Sequence, residues 1–538
     1  MRTISKLTLL SLVLLMVASF FLPTTLAAED KFGGVINIGI ASDPADLNPL
    51  TSNDRVSSWL INNMYPTLMV MDEEGTKIPY IAEEIEVSED GLVVTVSLIE
   101  GIKWSDGTPL TSADVRFTAE LMKEEQLQWQ ADSLNQVDSI ETPDDYTIIF
   151  NLVQPYPGFV GVFGFWQRIV PEHIFSQIDN VVEFENRENV VSAGPFNLSE
   201  IREGQYYVLE RVDEWFLSPE GKPYIEEIIY RVYPDVNTMV MALQSGEIDL
   251  TATNIPPSQA NILRQRPEIN VVQTPSLGYV YIGLKNDNPF LNDRDLRQAI
   301  AYGIDRDEII NLALEGDGMK LDTPVSPVYE GEGVVNHEAK MPEFSIDAAR
   351  EALVKSGYED TDGSGIVNSP ITGEDVVLEL IYDGADIYLR NTAQILESNF
   401  TDMGLKLELN PMDRSTYLDL INQGDFDINL GGWGIIDEPS DAMYTLYHST
   451  SFLNYSRLES EELDRVLEGA RYAPNEEEEL KYVFEFQEVF LEELPVITLY
   501  YQLYNFAYSN QFEGFTVYPS DLRGLMDPQN MSQIYLAD

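Results

Sequence analysis

The stretch of residues 100–117 limits the fold of this chain more than any other segment. An apolar strand pattern leads to Trp104, and the Asp106-Gly107 pair then predicts a tight turn. A helix is predicted to begin directly afterwards, with Ser112 as its cap. Trp104 is expected to pack in a core rather than to face a ligand. A strand, a turn and a helix in so short a segment predict a mixed α/β architecture.

The rest of the chain mixes strand and helix patterns in the same way, without a repeat of solenoid period. Strands are predicted at Gly34–Ile40, Val93–Leu98, Tyr146–Leu152 and Val496–Tyr501. Helices are predicted at Ser112–Glu124, Arg294–Leu314 with a break near Gly303, Ile346–Ser356, Tyr388–Met403, Ser460–Ala470 and Glu476–Glu492. A length of 538 residues predicts two or three domains. No low-complexity linker separates them, which favours domains built from discontinuous segments.

The first residues have the pattern of a cleaved secretory signal peptide, predicted to cover residues 1–28. Arg2 and Lys6 give a basic start, an apolar run covers Leu7–Leu22, and the Ala27-Ala28 pair supplies small residues for cleavage. A retained membrane anchor is the alternative. The apolar run is shorter than the roughly 20 residues that a spanning helix needs, so cleavage is favoured.

The absence of cysteine excludes disulfides, thiolate nucleophiles and cysteine metal sites. It also excludes the lipobox cysteine that would carry a lipid anchor. Because an exported protein without an anchor would be lost from a cell with one membrane, we expect a periplasmic location.

The net charge of −59, from 91 acidic and 32 basic residues, disfavours binding to nucleic acid or to anionic membranes. A cation-attracting surface is one interpretation of this charge. The acids are spread through nearly every segment, so solubility is the favoured interpretation.

A series of short motifs resembles, in the same order, the extracellular solute-binding proteins of family 5, which serve peptide-type ABC importers. The motifs lie at Gly34–Pro49, Ile81–Gly91, 100–117, Ile169–Ile174, Ser192–Phe196, Ala242–Leu250, Leu296–Arg306, Gly424–Asp427 and Gly432–Trp433. A single motif would be weak support. Together they span nearly all of the chain after the predicted signal peptide.

The resemblance implies a periplasmic-binding-protein-like α/β fold of the large type with an extra lobe. Two lobes are expected to close over a ligand about a hinge of two strands. By analogy, lobe I takes residues 29–75, 190–275 and 490–538, lobe II takes 76–189, and lobe III takes 276–489. A monomer is expected, with a small solute and ABC permease subunits as partners, and with no cofactor.

Peptide binders of this family hold an extended peptide like an added strand, through main-chain hydrogen bonds. Gly432 and Gly434 would let a ligand backbone approach closely, and Trp433 offers a flat apolar face. For the aromatic candidates, ordinary core packing is the alternative. The ligand-binding residues that the resemblance implies are Asn53, Trp129, Tyr281, Gly432, Trp433, Gly434, Ile435, Asp437 and Tyr501.

The segment after Trp433 departs from the pattern of the family's peptide binders. They place an aspartate three residues after this tryptophan, where it pairs with the α-ammonium of the ligand. Here the third residue is Ile436, and Asp437 is one position further on. Asp437 could reach the same point through a shifted backbone, the ammonium anchor could be absent, or Asp437 could cap a helix before Pro439.

Other motifs do not indicate metal binding or catalysis. Asp360–Gly365 resembles the start of a calcium loop, but Ile371 stands where the bidentate glutamate would be, so a turn is favoured. The three histidines are isolated in sequence and form no paired ligand spacing. There is no G-x-S-x-G elbow and no phosphate-binding loop. We therefore expect a binding protein rather than an enzyme.

Three functions remain open at this point. The first is capture of oligopeptides for an ABC importer. The second is the same role for oligosaccharides of the cellobiose, xylo or manno type, which the departure after Trp433 and the 28 tyrosines and 6 tryptophans keep open. The third, a secreted hydrolase, lacks any supporting motif.

Overall fold

A computed structural model describes residues 31–52, 54–127, 131–218, 220–434, 436–518 and 524–537. The predicted signal peptide lies outside these residues. The strands are β1 (Val35–Ile40), β2 (Met69–Met71), β3 (Lys77–Pro79), β4 (Ala82–Val87), β5 (Val93–Leu98), β6 (Val137–Asp144), β7 (Thr147–Leu152), β8 (Phe196–Arg202), β9 (Tyr206–Arg211), β10 (Glu227–Val232), β11 (Leu250–Thr251), β12 (Ile269–Pro275), β13 (Tyr279–Leu284), β14 (Gly318–Lys320), β15 (Val377–Asp383), β16 (Lys406–Met412), β17 (Ile428–Trp433), β18 (Val496–Ser509), β19 (Phe512–Glu513) and β20 (Tyr535–Leu536).

Helices alternate with these strands. The α-helices are Arg55–Met64, Ser112–Glu125, Ala131–Leu134, Gly158–Gly161, Glu172–Phe175, Val236–Ser245, Pro257–Leu263, Arg294–Tyr302, Arg306–Glu308, Ile346–Lys355, Ile387–Met403, Arg414–Gln423, Pro439–Tyr447, Glu461–Arg471, Glu476–Glu493 and Pro528–Gln533. Two π-helical turns are at Val162–Trp166 and Ile309–Ala313, and two 3₁₀ turns are at Val181–Glu183 and Pro327–Glu332. Of the described helices, none is both long and apolar enough to cross a membrane.

The largest sheet has the order β16-β15-β17-β13-β18-β11-β1-β10-β9-β8, with β12 and β14 also paired to β18. The long strand β18 joins its two halves. Its first residues pair with β13, and its later residues pair with β12 in the register Pro275↔Leu503 to Ile269↔Ser509. Because β12 leads directly into β13, two segments cross between the halves, as the predicted two-strand hinge requires. The predicted α/β solute-binding fold is therefore confirmed.

Separate hydrophobic cores lie on the two halves of this sheet. Around β13, β15 and β17, buried side chains of the strands pack against the helices, among them Ile282, Leu380, Leu430, Ile300 and Leu396. Around β1 and β10, Ile36, Ile38 and Ile228 belong to a second core that extends into the four-stranded sheet β4-β5-β7-β6. The limits of the three lobes stay predictions.

The segment 100–117 forms the predicted corner of strand, turn and helix. Trp104 is 1 % exposed, and its indole Nε1 donates to Asp114 Oδ2 at 3.3 Å. The helix begins at Ser112, but its N-cap is Thr111 and not Ser112. Thr111 and Asp114 form a reciprocal capping box, which satisfies the free N–H groups at the start of the helix.

The predicted break near Gly303 is confirmed, whereas one predicted strand is too short. Arg294–Leu314 divides into the helices Arg294–Tyr302 and Arg306–Glu308 and a π-helical turn, because Gly303 ends the first and Asp305 caps the second. The predicted strand Val496–Tyr501 is the first part of β18, which continues to Ser509.

Candidate ligand-binding site

One edge of β17 lacks a strand neighbour over its last residues. On one side, β17 pairs with β13 along its whole length, from Ile428↔Leu284 to Trp433↔Tyr279. On the other side, its parallel pairing with β15 ends at Leu430↔Tyr382. Among the described residues, the 431–434 backbone therefore continues past the end of β15 without a strand partner on that side.

Different surroundings explain the glycines at positions 431, 432 and 434. A Cβ at Gly431 would clash with the Tyr417 hydroxyl, and a Cβ at Gly432 would lie 3.0 Å from the Tyr279 carbonyl oxygen. Packing within the protein thus explains why residues 431 and 432 are glycines. A Cβ at Gly434 would meet nothing within 4 Å, and Gly432 and Gly434 are both exposed. None of the residues that the structure describes fills the space at Gly434.

Trp433 belongs to a row of stacked aromatic rings beside this edge. Its ring is nearly parallel to those of Tyr281 and Tyr455, with centroid distances of 6.4 Å and 5.8 Å and interplanar angles of 12° and 6°. Tyr281 is 4 % exposed, and burial raises its pKa well above the usual value, so it stays neutral. Stacking fixes the orientation of the half-buried Trp433 side chain.

A buried cluster of charges follows the strand edge. The Lys77 ammonium contacts three carboxylates: Asp437 Oδ1 at 2.9 Å, Glu332 Oε1 at 3.4 Å, and Glu438 Oε1. Side-chain exposures are 6 % for Lys77 and 1 % for Asp437. We call Lys77, Glu332, Asp437 and Glu438 the lysine cage.

Neutral groups complete the walls of the lysine cage. The Lys77 ammonium lies 5.0 Å from the centroid of the Tyr329 ring and 5.6 Å from that of Phe165, both within the range of a cation–π interaction. The second oxygen of Asp437, Oδ2, accepts a hydrogen bond from the Trp166 indole Nε1. Both oxygens of Asp437 therefore have partners within the chain.

The electrostatics of the lysine cage favour a charged lysine. Burial opposes the ammonium, but the carboxylates of Asp437, Glu438 and Glu332 hold the pKa of Lys77 above its usual value. Burial raises the pKa of Glu438 well above its usual range and also raises that of Glu332, although Lys77 opposes both shifts. Protons on the glutamates can thus offset the excess of acid over base.

Local backbone geometry brings Asp437 and Glu438 to this point. Pro439 occupies the first turn of the helix Pro439–Tyr447, and Glu438 is its N-cap residue, with a φ of 50°. Asp437 does not cap this helix, so its side chain is free to turn towards Lys77. Gly161 lies against the Glu438 carboxylate, where any side chain would clash.

A further acid lies near the lysine cage. Glu479, on the helix Glu476–Glu493, accepts a hydrogen bond from Ser440 Oγ at 2.6 Å and lines a cavity of about 380 Å³. Burial is the main cause that raises its pKa to about 7; the bond from Ser440 opposes the shift, and Glu476 adds to it. This carboxyl changes its charge near neutral pH.

The structure brings only some of the predicted ligand-binding residues together. Tyr281, Gly432, Trp433 and Gly434 share the end of β17 and its neighbour β13, and Asp437 lies in the lysine cage. Tyr501 is buried on β18, where its hydroxyl contacts the Met319 sulfur at 2.9 Å. The predicted candidates Asn53, Trp129 and Ile435 lie outside the described residues.

Sequence reasoning missed Lys77, Trp166, Glu332 and Glu438. Their positions are far apart in the chain, and no local pattern links them. The one available hint was the scarcity of basic residues, because a lysine among so many acids has a high chance of acidic neighbours. The segment Asp360–Gly365 forms a turn: the Asp360 carboxylate accepts from the Gly363 and Gly365 amides at 2.7 Å and 3.0 Å.

Comparisons with known proteins agree with this fold. The family model of the bacterial extracellular solute-binding proteins, family 5, matches residues 76–454. The oligopeptide-binding protein AppA of Bacillus subtilis is 27 % identical over 505 residues, which are 92 % of this chain and 91 % of AppA. The probable D,D-dipeptide-binding periplasmic protein DdpA of Escherichia coli is 26 % identical, with 95 % and 96 % covered.

Solved structures give the same result. The ABC transporter substrate-binding protein CtaP of Listeria monocytogenes superimposes with a TM-score of 0.82 at 25 % identity, covering 94 % of this chain and all of CtaP. The complex of B. subtilis AppA with a nonapeptide superimposes with a TM-score of 0.72 at 26 % identity, covering 95 % of this chain and all of AppA. The chain belongs to the bacterial extracellular solute-binding proteins of family 5.

Proposed function

We propose that this protein captures oligopeptides outside the cytoplasmic membrane and delivers them to an ABC importer, without catalysing a reaction. The observation that carries the proposal is the unpaired backbone edge at residues 431–434, beside the stacked Trp433 ring. A free edge of this kind binds an extended peptide by continuing the sheet. Its hydrogen bonds involve only main-chain groups, so peptides of many sequences fit.

The relatives support the class of ligand. AppA is named an oligopeptide-binding protein and has been solved with a nonapeptide, and DdpA is named a probable D,D-dipeptide-binding periplasmic protein. The signal-peptide pattern at residues 1–28 supports export, and the lack of a cysteine that could carry a lipid supports a freely diffusing periplasmic protein. Closure of the two lobes about β12, β13 and β18 would hide the bound peptide from water.

The oligosaccharide alternative is favoured less by the geometry. Sugars bind such proteins by lying on exposed aromatic faces. Trp433 is already stacked with two tyrosine rings and is half-buried, so less of its face remains for a sugar. An unpaired strand edge, in contrast, does not favour the binding of a sugar ring.

A thermal-shift panel tests the proposal. Pools of di- to pentapeptides and sets of gluco-, xylo- and manno-oligosaccharides are added to the mature protein at millimolar concentration. A ligand at 100 times its Kd stabilises the folded state by about 2.7 kcal/mol. We expect peptide pools to raise the melting temperature. Stabilisation by sugars alone would refute peptide capture, and turnover of any compound would refute a purely binding role.

A substitution at Gly434 tests the strand edge directly. Because a methyl group there meets open space, Gly434→Ala should leave the melting temperature of the free protein unchanged. It should weaken peptide binding at least tenfold, since the methyl group would separate the two backbones. Met241→Ala, an exposed apolar truncation on the helix Val236–Ser245, is the matched control. Equal peptide affinity in both variants would place the ligand elsewhere.

A further inference from the structure

We propose that Lys77 occupies the ammonium position beside the strand edge and thereby selects peptides whose amino terminus carries no charge, such as N-acylated peptides. This inference rests on the proposed peptide capture and adds the chemical class of its ligand. It makes Lys77 a specificity-determining residue, although Lys77 need not touch the bound peptide.

The lysine cage has the chemistry of an ammonium-binding site. Three carboxylates surround the nitrogen of Lys77, and the rings of Tyr329 and Phe165 lie within cation–π distance. An ammonium from a ligand would be bound by the same groups. The position is already filled by a side chain of the protein.

The lysine cage lies within reach of a ligand on the strand edge. Asp437 follows Gly434 by three residues, and three residues span at most about 11 Å. A ligand group beside Gly434 would therefore lie within roughly that distance of Asp437. A charged amino terminus arriving there would find Asp437 Oδ1 already in an ion pair with Lys77 and Oδ2 already hydrogen-bonded by Trp166.

Displacing the Lys77 ammonium from the lysine cage would be energetically unfavourable. Its backbone is fixed in β3, where it pairs with Met71, and its side chain is 6 % exposed. Moving the ammonium out would leave the buried Asp437 carboxylate without its cation and would remove the ion-pair partner of both glutamates, which is strongly unfavourable. Leaving it in place would bury the ligand ammonium without a partner, which is also unfavourable. A neutral amino terminus on the peptide incurs neither of these two energetic costs.

The excess of acids in the cage does not require a second cation. Burial raises the pKa of both Glu438 and Glu332, so these groups can hold protons and reduce the negative charge. A less negative cage attracts a second ammonium less strongly.

A competition experiment tests the selection. The mature protein is mixed with equal amounts of a random pentapeptide pool with free amino termini and of the same pool after N-acetylation. Peptides retained after rapid desalting are released and counted by mass spectrometry. We expect at least tenfold enrichment of the acetylated peptides on the wild-type protein. Enrichment of the free-amino peptides, or equal retention of both, would refute the inference and leave peptide capture standing.

A variant separates the effect of Lys77 from general peptide preference. Lys77→Met keeps the length of the side chain and removes the ammonium, so the ratio should shift at least tenfold towards free-amino peptides. Lys320→Met is the matched control, because Lys320 pairs with Asp307 and Glu343 on a different strand, and its ratio should equal that of the wild type. An unchanged ratio in folded Lys77→Met would overturn the inference. If this variant fails to fold, the ratio of acetylated to free-amino peptides retained by the wild-type protein still tests the inference. Retention of neither pool would refute peptide capture itself, and this inference with it.

Discussion

Replacement of Glu479 by glutamine should change how stability depends on pH. The carboxyl is half-buried, and its pKa is raised from 4.5 to about 7. Between these values the folded protein binds a proton that the unfolded chain has lost. Stability therefore falls as the pH rises through this window, and the full penalty remains above pH 7.

The size of this effect follows from the pKa difference. One pKa unit corresponds to about 1.36 kcal/mol, so the shift sets an upper limit of roughly 3 kcal/mol. Because the group is half-buried and water screens it, we expect about 2 kcal/mol. Unfolding entropy is about 2.1 cal/mol/K per residue, so for a chain of this length the expected change in melting temperature is about 2 °C.

The assay compares melting temperatures at pH 5 and pH 8 for the wild type, Glu479→Gln and Glu477→Gln. Other groups change the stability of all three proteins, so the measured quantity is the difference between their pH responses. From pH 5 to pH 8 the wild type should lose about 2 °C more than Glu479→Gln. Glu477 is exposed on the same helix, and its variant should behave like the wild type. Equal pH responses of wild type and Glu479→Gln would refute the reasoning.

Three further predictions concern stability. Lys77→Met should destabilise the free protein by about 3–5 kcal/mol, because it leaves buried carboxylates unpaired, and the loss should shrink at pH 5 as they take up protons; a pH-independent loss in thermal melts would contradict this. Trp104→Ala should cost about 3–5 kcal/mol through lost packing and the lost bond to Asp114, whereas Trp104→Phe should cost less in the same melts; equal losses would argue against a core role. Raising NaCl from 0.05 M to 0.5 M should raise the melting temperature, because salt screens self-repulsion at a net charge of −59; a fall would show that ion pairs outweigh repulsion.

Local signals predicted the ends of several helices. The helix Ile387–Met403 ends at the predicted residue, and Gly404 follows it in the left-handed conformation with a φ of 86°. The length of β18 was underestimated, because Gln502 and Asn505 interrupt its apolar pattern. Asn505 is 1 % exposed, and its side-chain amide donates to the Ile255 carbonyl at 3.2 Å. Such distant partners make a polar residue acceptable in a buried strand, and no local pattern predicts them.

The residues of the candidate site also differ in whether the sequence predicted them. Gly432, Trp433 and Gly434 were predicted from the resemblance to the family, and they are consecutive residues at and directly after the end of β17. The lysine cage was not, because residues 77, 332 and 437–438 come from three distant segments. The departure after Trp433 left open whether Asp437 serves as the ammonium anchor. Only the structure identifies Lys77 as the ion-pair partner of Asp437.

The charge of the whole chain and the charge of the site should therefore act differently on a ligand. A net charge of −59 draws cations towards the protein over a distance of about one Debye length and affects the rate of encounter. Final affinity depends on contacts within the closed site, where Asp437 already has Lys77 and Trp166 as partners. A peptide with a free amino terminus would be attracted to the surface and then disfavoured in the site. The acidity of the chain is thus a poor guide to its ligand, and the occupant of the lysine cage is a better one.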